Sequence, residues 1–340
     1  MTKIENLYLH IGRHKSATTT IQSWLDYNRS NFIDNGFLYL SNQPTITRGK
    51  WGASHNLAAS CIDISKEGYK KMEEASKIII HEAEMSNCKN IILSSEGFQN
   101  INNTKLIEFL ISIILPKNVI IICIFREFLD YAISSYRQVI HANPKYIKSL
   151  DLIKSYSKHI DIENFHKRWS NIGEFHGLVL DDYNPKTSEL FHKLEQIFGI
   201  NSSSISYIKD QKNISIGGDL LAYKLLINLQ KPEMKDIPSA IKKLYRKLES
   251  FAASEREFSR PFFISDKFST KIQKDSKYNQ YIEYNFGKLK YKFWSDFDII
   301  PSKRISENLE NFNLVFSDLV SEVNLTNEYI LLLKKAFELI

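Results

Sequence analysis

The chain has 340 residues, of which 43% are hydrophobic and 25% are charged, and its formal net charge is +6 at pH 7. This composition predicts a folded globular protein and excludes a disordered chain, a fibre and a small disulfide scaffold. Residues 241–292 contain 13 Lys and Arg against 6 Asp and Glu, a local charge of +7 that leaves −1 for the rest of the chain. The excess of basic over acidic residues is therefore local, and it indicates anionic partners only weakly.

Short apolar segments alternate with longer amphipathic ones through the first 200 residues. The first predicted strand, residues 7–11, is followed by a helix that contains Ile21 and Phe32 and ends near Gly36. The later strands are predicted at residues 90–94, 118–125 and 177–180, and the later helices at residues 66–85, 105–115, 129–141, 153–169 and 188–198. This alternation predicts a three-layer α/β fold, a parallel sheet with helices on both faces.

The alternation stops near residue 230. Helical patterns at residues 237–251 and 329–339 are separated by aromatic and basic sequence without a clear period. We therefore predict a core at residues 1–230 and a mainly helical C-terminal subdomain at residues 231–340.

The cysteines and the apolar segments indicate the cellular compartment in which the protein is expected. Cys61, Cys88 and Cys123 are widely separated and odd in number, which fits neither a zinc site nor a disulfide framework and favours a reducing cytoplasm. Basic residues 13–15 interrupt the first apolar run, so we expect no signal peptide. The apolar region 107–125 is divided at residues 116–118, so we expect no transmembrane helix.

The loop after the first strand combines basic and hydroxyl side chains at the start of a helix. It consists of Gly12, Arg13, His14, Lys15, Ser16, Ala17, Thr18, Thr19 and Thr20. In an α/β sheet such a loop lies at the ligand-binding edge, and the helix start offers unpaired N–H groups and a partial positive charge, which together favour a phosphate. The GxxxxGK[ST] pattern fails because Leu9 and His14 replace its glycines. The alternative is an ordinary Ser/Thr helix cap with solvated basic residues.

Residues 9–22 resemble the 5′-phosphosulfate loop of sulfotransferases that use 3′-phosphoadenosine 5′-phosphosulfate (PAPS), particularly bacterial carbohydrate-type members. The usual form of that loop is close to GxxKxGTT. Here Ala17 stands where glycine is usual, and Arg13 stands where proline is frequent. The resemblance implies that Lys15 contacts the bridging oxygen and that the backbone and hydroxyls of residues 16–20 hold the 5′ group.

A second motif resembles the 3′-phosphate site of the same family. Arg126 ends the strand 118–125, and Ser134 follows eight positions later. An arginine fork can donate two hydrogen bonds to phosphate oxygens, and a helical serine can add another. The alternative is an ion pair of Arg126 with Glu127, Asp130 or another acid.

Two residues are candidates for the base that removes the acceptor proton. Glu96 follows the strand 90–94, at the same edge of the sheet as the loop, and resembles the position of the catalytic His or Glu of sulfotransferases. His55 lies in a segment that resembles a His-containing segment of bacterial members. The alternatives are a helix-cap partner or solvated acid for Glu96 and a plain loop histidine for His55.

The resemblance covers residues 7–230 and implies a P-loop-like sulfotransferase. It would transfer the sulfuryl group in line from PAPS to a hydroxyl of a carbohydrate or glycoconjugate, release adenosine 3′,5′-bisphosphate and need no metal. We expect a cytoplasmic protein with a carbohydrate or glycolipid acceptor, no nucleic-acid partner and peripheral contact with the inner face of the membrane. The basic, aromatic stretch of residues 231–340 is the candidate for acceptor recognition, and the sequence makes no prediction of the oligomeric state.

Two other functions remain open. A P-loop kinase with a degenerate loop would depend on ATP and magnesium and would make the spacing of Arg126 and Ser134 accidental. A non-enzymatic protein would bind nucleic acid or a membrane surface through residues 241–292 in a salt-sensitive manner.

Overall fold

Five parallel strands form one sheet in the order β2-β3-β1-β4-β5. The structure is a computed structural model that describes residues 3–49, 51–142, 161–181, 188–200, 221 and 266–291. The strands are β1 Asn6–His10, β2 Phe37–Tyr39, β3 Asn90–Ser94, β4 Asn118–Phe125 and β5 Glu174–Val179. The predicted three-layer α/β fold is confirmed, because helices flank this sheet.

Ten helices and one 3₁₀ helix lie within the described ranges. They are α1 Thr18–Tyr27, α2 Arg29–Asp34, α3 His55–Ser60, α4 Lys66–Met85, α5 Lys105–Ile114, α6 Phe128–Ala142, α7 Ile162–Ser170, α8 Glu189–Phe198, α9 Asp266–Asp275, α10 Lys277–Asn285 and the 3₁₀ helix Glu96–Asn100. The predicted first helix is two helices, because Asn28 ends α1 and its side-chain amide donates to the Trp24 carbonyl at 2.9 Å. Strand β5 begins three residues earlier than predicted, because it is an edge strand among the described residues and its own residues are mostly half-exposed and mixed in polarity.

An aromatic core holds α1, α2 and α8 on one face of the sheet. The Trp24 ring of α1 meets Phe32 and Phe191 edge to face, with centroids 5.5 and 5.3 Å apart. Tyr8 of β1 meets Phe198 of α8 in the same way at 5.1 Å. Such pairs add about 0.5–1.5 kcal/mol each beyond the burial of their area. These contacts pack α1 against α2 and α8 on this face of the sheet.

The opposite face of the sheet is equally apolar. Because side chains alternate along a strand, Leu7, Leu9 and Leu93 lie on this face, and each is fully buried. Helices α4 and α5 pack against each other with the Tyr69 and Phe109 rings 5.0 Å apart. Within the described ranges, every helix lacks either the length or the apolar character needed to cross a membrane.

The chain divides into two compact units. The first consists of Met1–Arg126, Asp161–Asp210 and Gln280–Lys290, and it contains the whole sheet. The second consists of Glu127–Ile160, Gln211–Asn279 and Tyr291–Ile340. The predicted boundary near residue 230 and the predicted helices 237–251 and 329–339 lie outside the described residues, so they stay predictions.

Candidate functional site

The loop between β1 and α1 turns through left-handed backbone conformations. Gly12, Lys15 and Ala17 have φ values of 20°, 63° and 60°. The Ser16 N–H and the Thr18 hydroxyl both donate to the Arg13 carbonyl, at 3.1 and 3.3 Å. Left-handed residues within a tight turn are typical of backbone concavities that bind anions. The glycine usual at position 17 in the resembling family is thus explained, because Ala17 occupies a conformation that glycine adopts without strain.

Gly12 lies in a close approach of the loop to its neighbours that leaves no room for a side chain. A Cβ atom there would lie 2.9 Å from the Thr18 hydroxyl oxygen and 3.2 Å from His10 Nε2. Ser16 is 1% exposed, and its hydroxyl has no hydrogen-bond partner among the residues that the structure describes. An unpaired buried hydroxyl costs about 1–3 kcal/mol, which a bound ligand oxygen would offset.

The start of α1 differs from the starts of α6 and α8. Its N-cap residue, Ala17, makes no side-chain hydrogen bond, and its first turn holds no acidic residue. By contrast, the Glu127 carboxylate accepts from the first N–H groups of α6, and the Asp181 carboxylate accepts from those of α8. The cap that the alternative interpretation requires is absent from α1, and its N–H groups are available to an anion.

The basic side chains of the loop point in different directions. The Arg13 side chain is 7% exposed, and its guanidinium lies 5.5 Å from the centre of the Phe165 ring of α7. Lys15 and His14 are partly exposed. Arg13 therefore packs under the loop, and Lys15 is the lysine at its surface.

Arg126 reaches the loop from the end of β4. Its guanidinium Nη1 donates to the Lys15 carbonyl at 2.8 Å, although 111 residues separate the two in sequence. The structure therefore brings Arg126 and the loop between β1 and α1 together at one edge of the sheet. Ser134 is a buried residue of α6, which belongs to the second unit.

Glu96 and His55 meet at the end of β3. The His55 ring Nδ1 lies 2.8 Å from the Ser95 hydroxyl, and Nε2 lies 4.0 Å from Glu96 Oε1. The other carboxylate oxygen, Oε2, is buried without a hydrogen-bond partner in the described part of the chain. Glu96 is not a cap partner, because Ser95 caps the 3₁₀ helix by accepting from Gly97 N–H at 3.0 Å. His55 lies at the start of α3 rather than in a loop.

His14 connects the loop electrostatically to this pair. Burial lowers the pKa of His14, and the negative charge of Glu96 acts in the opposite direction. Positive charges that lower the same pKa further are those of Arg13, Lys15 and His55. The loop after β1 and the end of β3 therefore share one electrostatic environment.

Sequence reasoning missed the residues that hold this arrangement in place. Ser54 and Ser94 exchange two hydrogen bonds, Ser54 N–H to the Ser94 carbonyl at 2.8 Å and Ser94 N–H to the Ser54 hydroxyl at 3.3 Å. The Ser94 hydroxyl in turn lies 2.7 Å from His10 Nδ1. The available signal was the pair of serines, residues 94 and 95, that ends an otherwise apolar strand at the ligand edge of the sheet.

Part of the aromatic and basic C-terminal stretch packs onto the sheet. The Phe286 ring covers Gly177 of β5 so closely that a Cβ there would lie 2.3 Å from it. The Tyr281 hydroxyl lies 2.9 Å from His166 Nδ1, and the Lys290 ammonium donates to the Asp181 carbonyl at 3.3 Å. Lys288 and Tyr284 are exposed. Lys290 is exposed as well, so all three side chains face solvent, and Lys290 differs from Lys288 in its hydrogen bond to Asp181.

The site combines a loop with left-handed backbone, a lysine, an arginine and a carboxylate beside two imidazoles. This set can hold a phosphorylated ligand and remove a proton from a hydroxyl group. Within the described ranges, no three His, Cys, Asp or Glu side chains form a group that could hold a metal ion. In comparisons with models of protein families, with curated proteins and with solved structures, nothing matches this chain.

Proposed function

We propose that the protein is a PAPS-dependent sulfotransferase that acts on a hydroxyl of a carbohydrate or glycoconjugate. The observation that carries the proposal is the hydrogen bond from Arg126 to the Lys15 carbonyl. It joins the arginine expected at the 3′-phosphate to the loop expected at the 5′-phosphosulfate. A P-loop-like donor site formed by both motifs would distinguish PAPS from ATP.

The loop residues fit the phosphosulfate end of the donor. The unpaired Ser16 hydroxyl and the uncapped start of α1 would both serve anionic oxygens. Thr19 and Thr20, in the first turn of α1, add two partly exposed hydroxyls. Arg126 would hold the 3′-phosphate. The predicted contribution of Ser134 stays a prediction.

The donor supplies the sulfuryl group, whose bond to the 5′-phosphate oxygen breaks as a bond to the acceptor oxygen forms. Lys15 places a full positive charge at the loop, where it stabilises negative charge on the departing oxygen. Glu96 or His55 takes the proton from the acceptor hydroxyl, so that the oxygen attacks with a free electron pair. Because packing and hydrogen bonds hold α1 and the end of β3 in place, the donor and the acceptor oxygen can align for in-line transfer without a conformational change.

Calorimetric titration with adenosine 3′,5′-bisphosphate, AMP and ATP tests the donor assignment. Charge-assisted hydrogen bonds to a phosphate contribute about 1.5–3 kcal/mol each, so the bisphosphate should bind at least about tenfold more tightly than AMP. Arg126→Ala should weaken this binding, whereas Lys105→Ala, at an exposed lysine of α5, should not. Equal affinity for AMP and the bisphosphate would refute the proposal, and tighter, magnesium-dependent binding of ATP would support the kinase.

On the acceptor side, we propose a carbohydrate or glycolipid that meets the cytoplasmic enzyme at the inner face of the membrane. Exposed Tyr284 and Lys288 support this because an aromatic face suits a sugar ring and an ammonium suits an anionic group. Co-sedimentation with vesicles that contain anionic lipid should weaken in Lys288→Glu. Binding that is the same in both proteins would remove Lys288 from the acceptor surface.

A further inference from the structure

Two consecutive serines at the end of β3 each meet a histidine. The Ser94 hydroxyl lies 2.7 Å from His10 Nδ1, and the Ser95 hydroxyl lies 2.8 Å from His55 Nδ1. Both serines are fully buried. Each hydrogen bond can run in either direction, since a neutral imidazole carries its proton on one nitrogen and a lone pair on the other.

The surroundings of Ser95 decide the direction of its hydrogen bond. Its oxygen already accepts from Gly97 N–H at 3.0 Å. Its own proton then needs an acceptor, and among the described residues the only one that it meets is His55 Nδ1. The opposite direction would leave a buried hydroxyl proton unpaired, at a cost of about 1–3 kcal/mol. His55 therefore carries its proton on Nε2.

This tautomer separates the roles of the two candidate bases. With Nδ1 accepting from Ser95 and Nε2 already protonated, neutral His55 has no lone pair left for the acceptor proton. Its Nε2–H faces Glu96 Oε1 at 4.0 Å, a separation that can shorten when a substrate closes the site. Glu96 Oε2 is the carboxylate oxygen that remains unpaired among the described residues.

We propose that Ser95 is a positioning residue that holds His55 in the Nε2–H tautomer and thereby makes Glu96 the group that receives the acceptor proton. The acceptor O–H proton moves to the Glu96 carboxylate, and the oxygen keeps the electron pair that forms the new bond to sulfur. His55 steadies the carboxylate through Nε2–H. The role in proton transfer rests on the proposed function, whereas the tautomer itself does not.

The neighbouring pair provides an internal control. The Ser94 hydroxyl meets His10 Nδ1, and His10 Nε2 is buried without a hydrogen-bond partner among the described residues, so either direction of that hydrogen bond leaves one buried proton unpaired. Burial lowers the pKa of His10 to about 4, which keeps this ring neutral at neutral pH. Loss of the Ser95 hydroxyl should change the tautomer equilibrium of His55 alone, and loss of the Ser94 hydroxyl should change that of His10 alone.

Side-chain ¹⁵N NMR of histidine reads the tautomer directly. Spectra at about pH 8.5, above the usual imidazole pKa of about 6.5, should show His55 as Nε2–H, with His10 as the reference ring and assignments from His55→Gln and His10→Gln. Ser95→Ala should bring His55 into a mixture of tautomers without altering His10, and Ser95→Thr should restore the Nε2–H form. An Nδ1–H tautomer of His55 in the wild-type protein would overturn the inference without any need for a variant.

Slow hydrolysis of PAPS, with water as the acceptor, tests the proton transfer. Glu96→Gln should lower its rate by about 10²- to 10⁴-fold, the usual contribution of a general base. Ser95→Ala should lower kcat with little change in KM for PAPS, and Ser95→Thr should restore most of the loss. If His55→Gln abolishes hydrolysis and Glu96→Gln does not, Glu96 is not the base. Failure to bind adenosine 3′,5′-bisphosphate would instead refute the sulfotransferase proposal and leave the tautomer standing.

Discussion

Replacing Ala17 with glycine isolates the cost of the left-handed loop. Ala17 is 7% exposed and has φ 60° and ψ 14°. The left-handed conformation costs an L-residue about 1–2 kcal/mol, and glycine avoids that cost. The substitution also lowers stability in two ways. Loss of a buried methyl group costs about 0.8 kcal/mol, and the greater conformational entropy of the unfolded chain costs about 0.4–1 kcal/mol. The opposing effects nearly cancel, so Ala17→Gly should change the free energy of unfolding by less than about 1 kcal/mol.

Ala53→Gly is the matched control. Ala53 is 2% exposed, and its φ is not positive. The Ala53→Gly variant loses the same methyl group and gains the same conformational entropy in the unfolded state, but it relieves no left-handed backbone strain. Urea unfolding should therefore show Ala17→Gly more stable than Ala53→Gly by about 1–2 kcal/mol. Equal losses in the two variants would refute the left-handed conformation at residue 17. Ala17→Gly should also retain the binding of adenosine 3′,5′-bisphosphate, because it restores the usual loop pattern.

Three further predictions concern the same edge of the sheet. Gly12→Ala puts a Cβ 2.9 Å from the Thr18 hydroxyl oxygen at φ +20°, so urea unfolding should show a loss of about 1–3 kcal/mol and calorimetry a loss of bisphosphate binding. Burial lowers the pKa of His10 from 6.5 to about 4, so the unfolded state binds an extra proton between these values. Stability then falls as the pH drops through this window, by up to about 3 kcal/mol, and His10→Gln should flatten that dependence in urea titrations at several pH values; an unchanged slope would contradict the burial of a neutral ring. In steady-state kinetics Arg126→Ala should mainly raise KM for PAPS and Lys15→Ala should mainly lower kcat, and the reverse pattern would exchange their roles.

Local sequence patterns were sufficient where an element is long and periodic. The helix predicted at residues 66–85 and the strands predicted at 90–94 and 118–125 have the same bounds as α4, β3 and β4. Strand β2 was not predicted because three residues carry too little periodicity, and it exists because β3 pairs with it. The 3₁₀ helix after β3 was also missed, since a single turn capped by Ser95 leaves no helical period to detect.

The sequence by itself determined the chemistry of the loop and its place at the carboxyl edge of the sheet. Both follow from local order, because a loop that leaves a buried parallel strand and enters a helix can only lie there. Only the tertiary structure decided that Arg126 meets the Lys15 carbonyl and that His55 meets Ser95 and Glu96. These contacts depend on which strands are neighbours: β1 lies between β3 and β4, so the ends of three strands distant in sequence share one edge. The tautomer of His55 is decided last of all, because it depends on where a single buried hydroxyl proton of Ser95 can go.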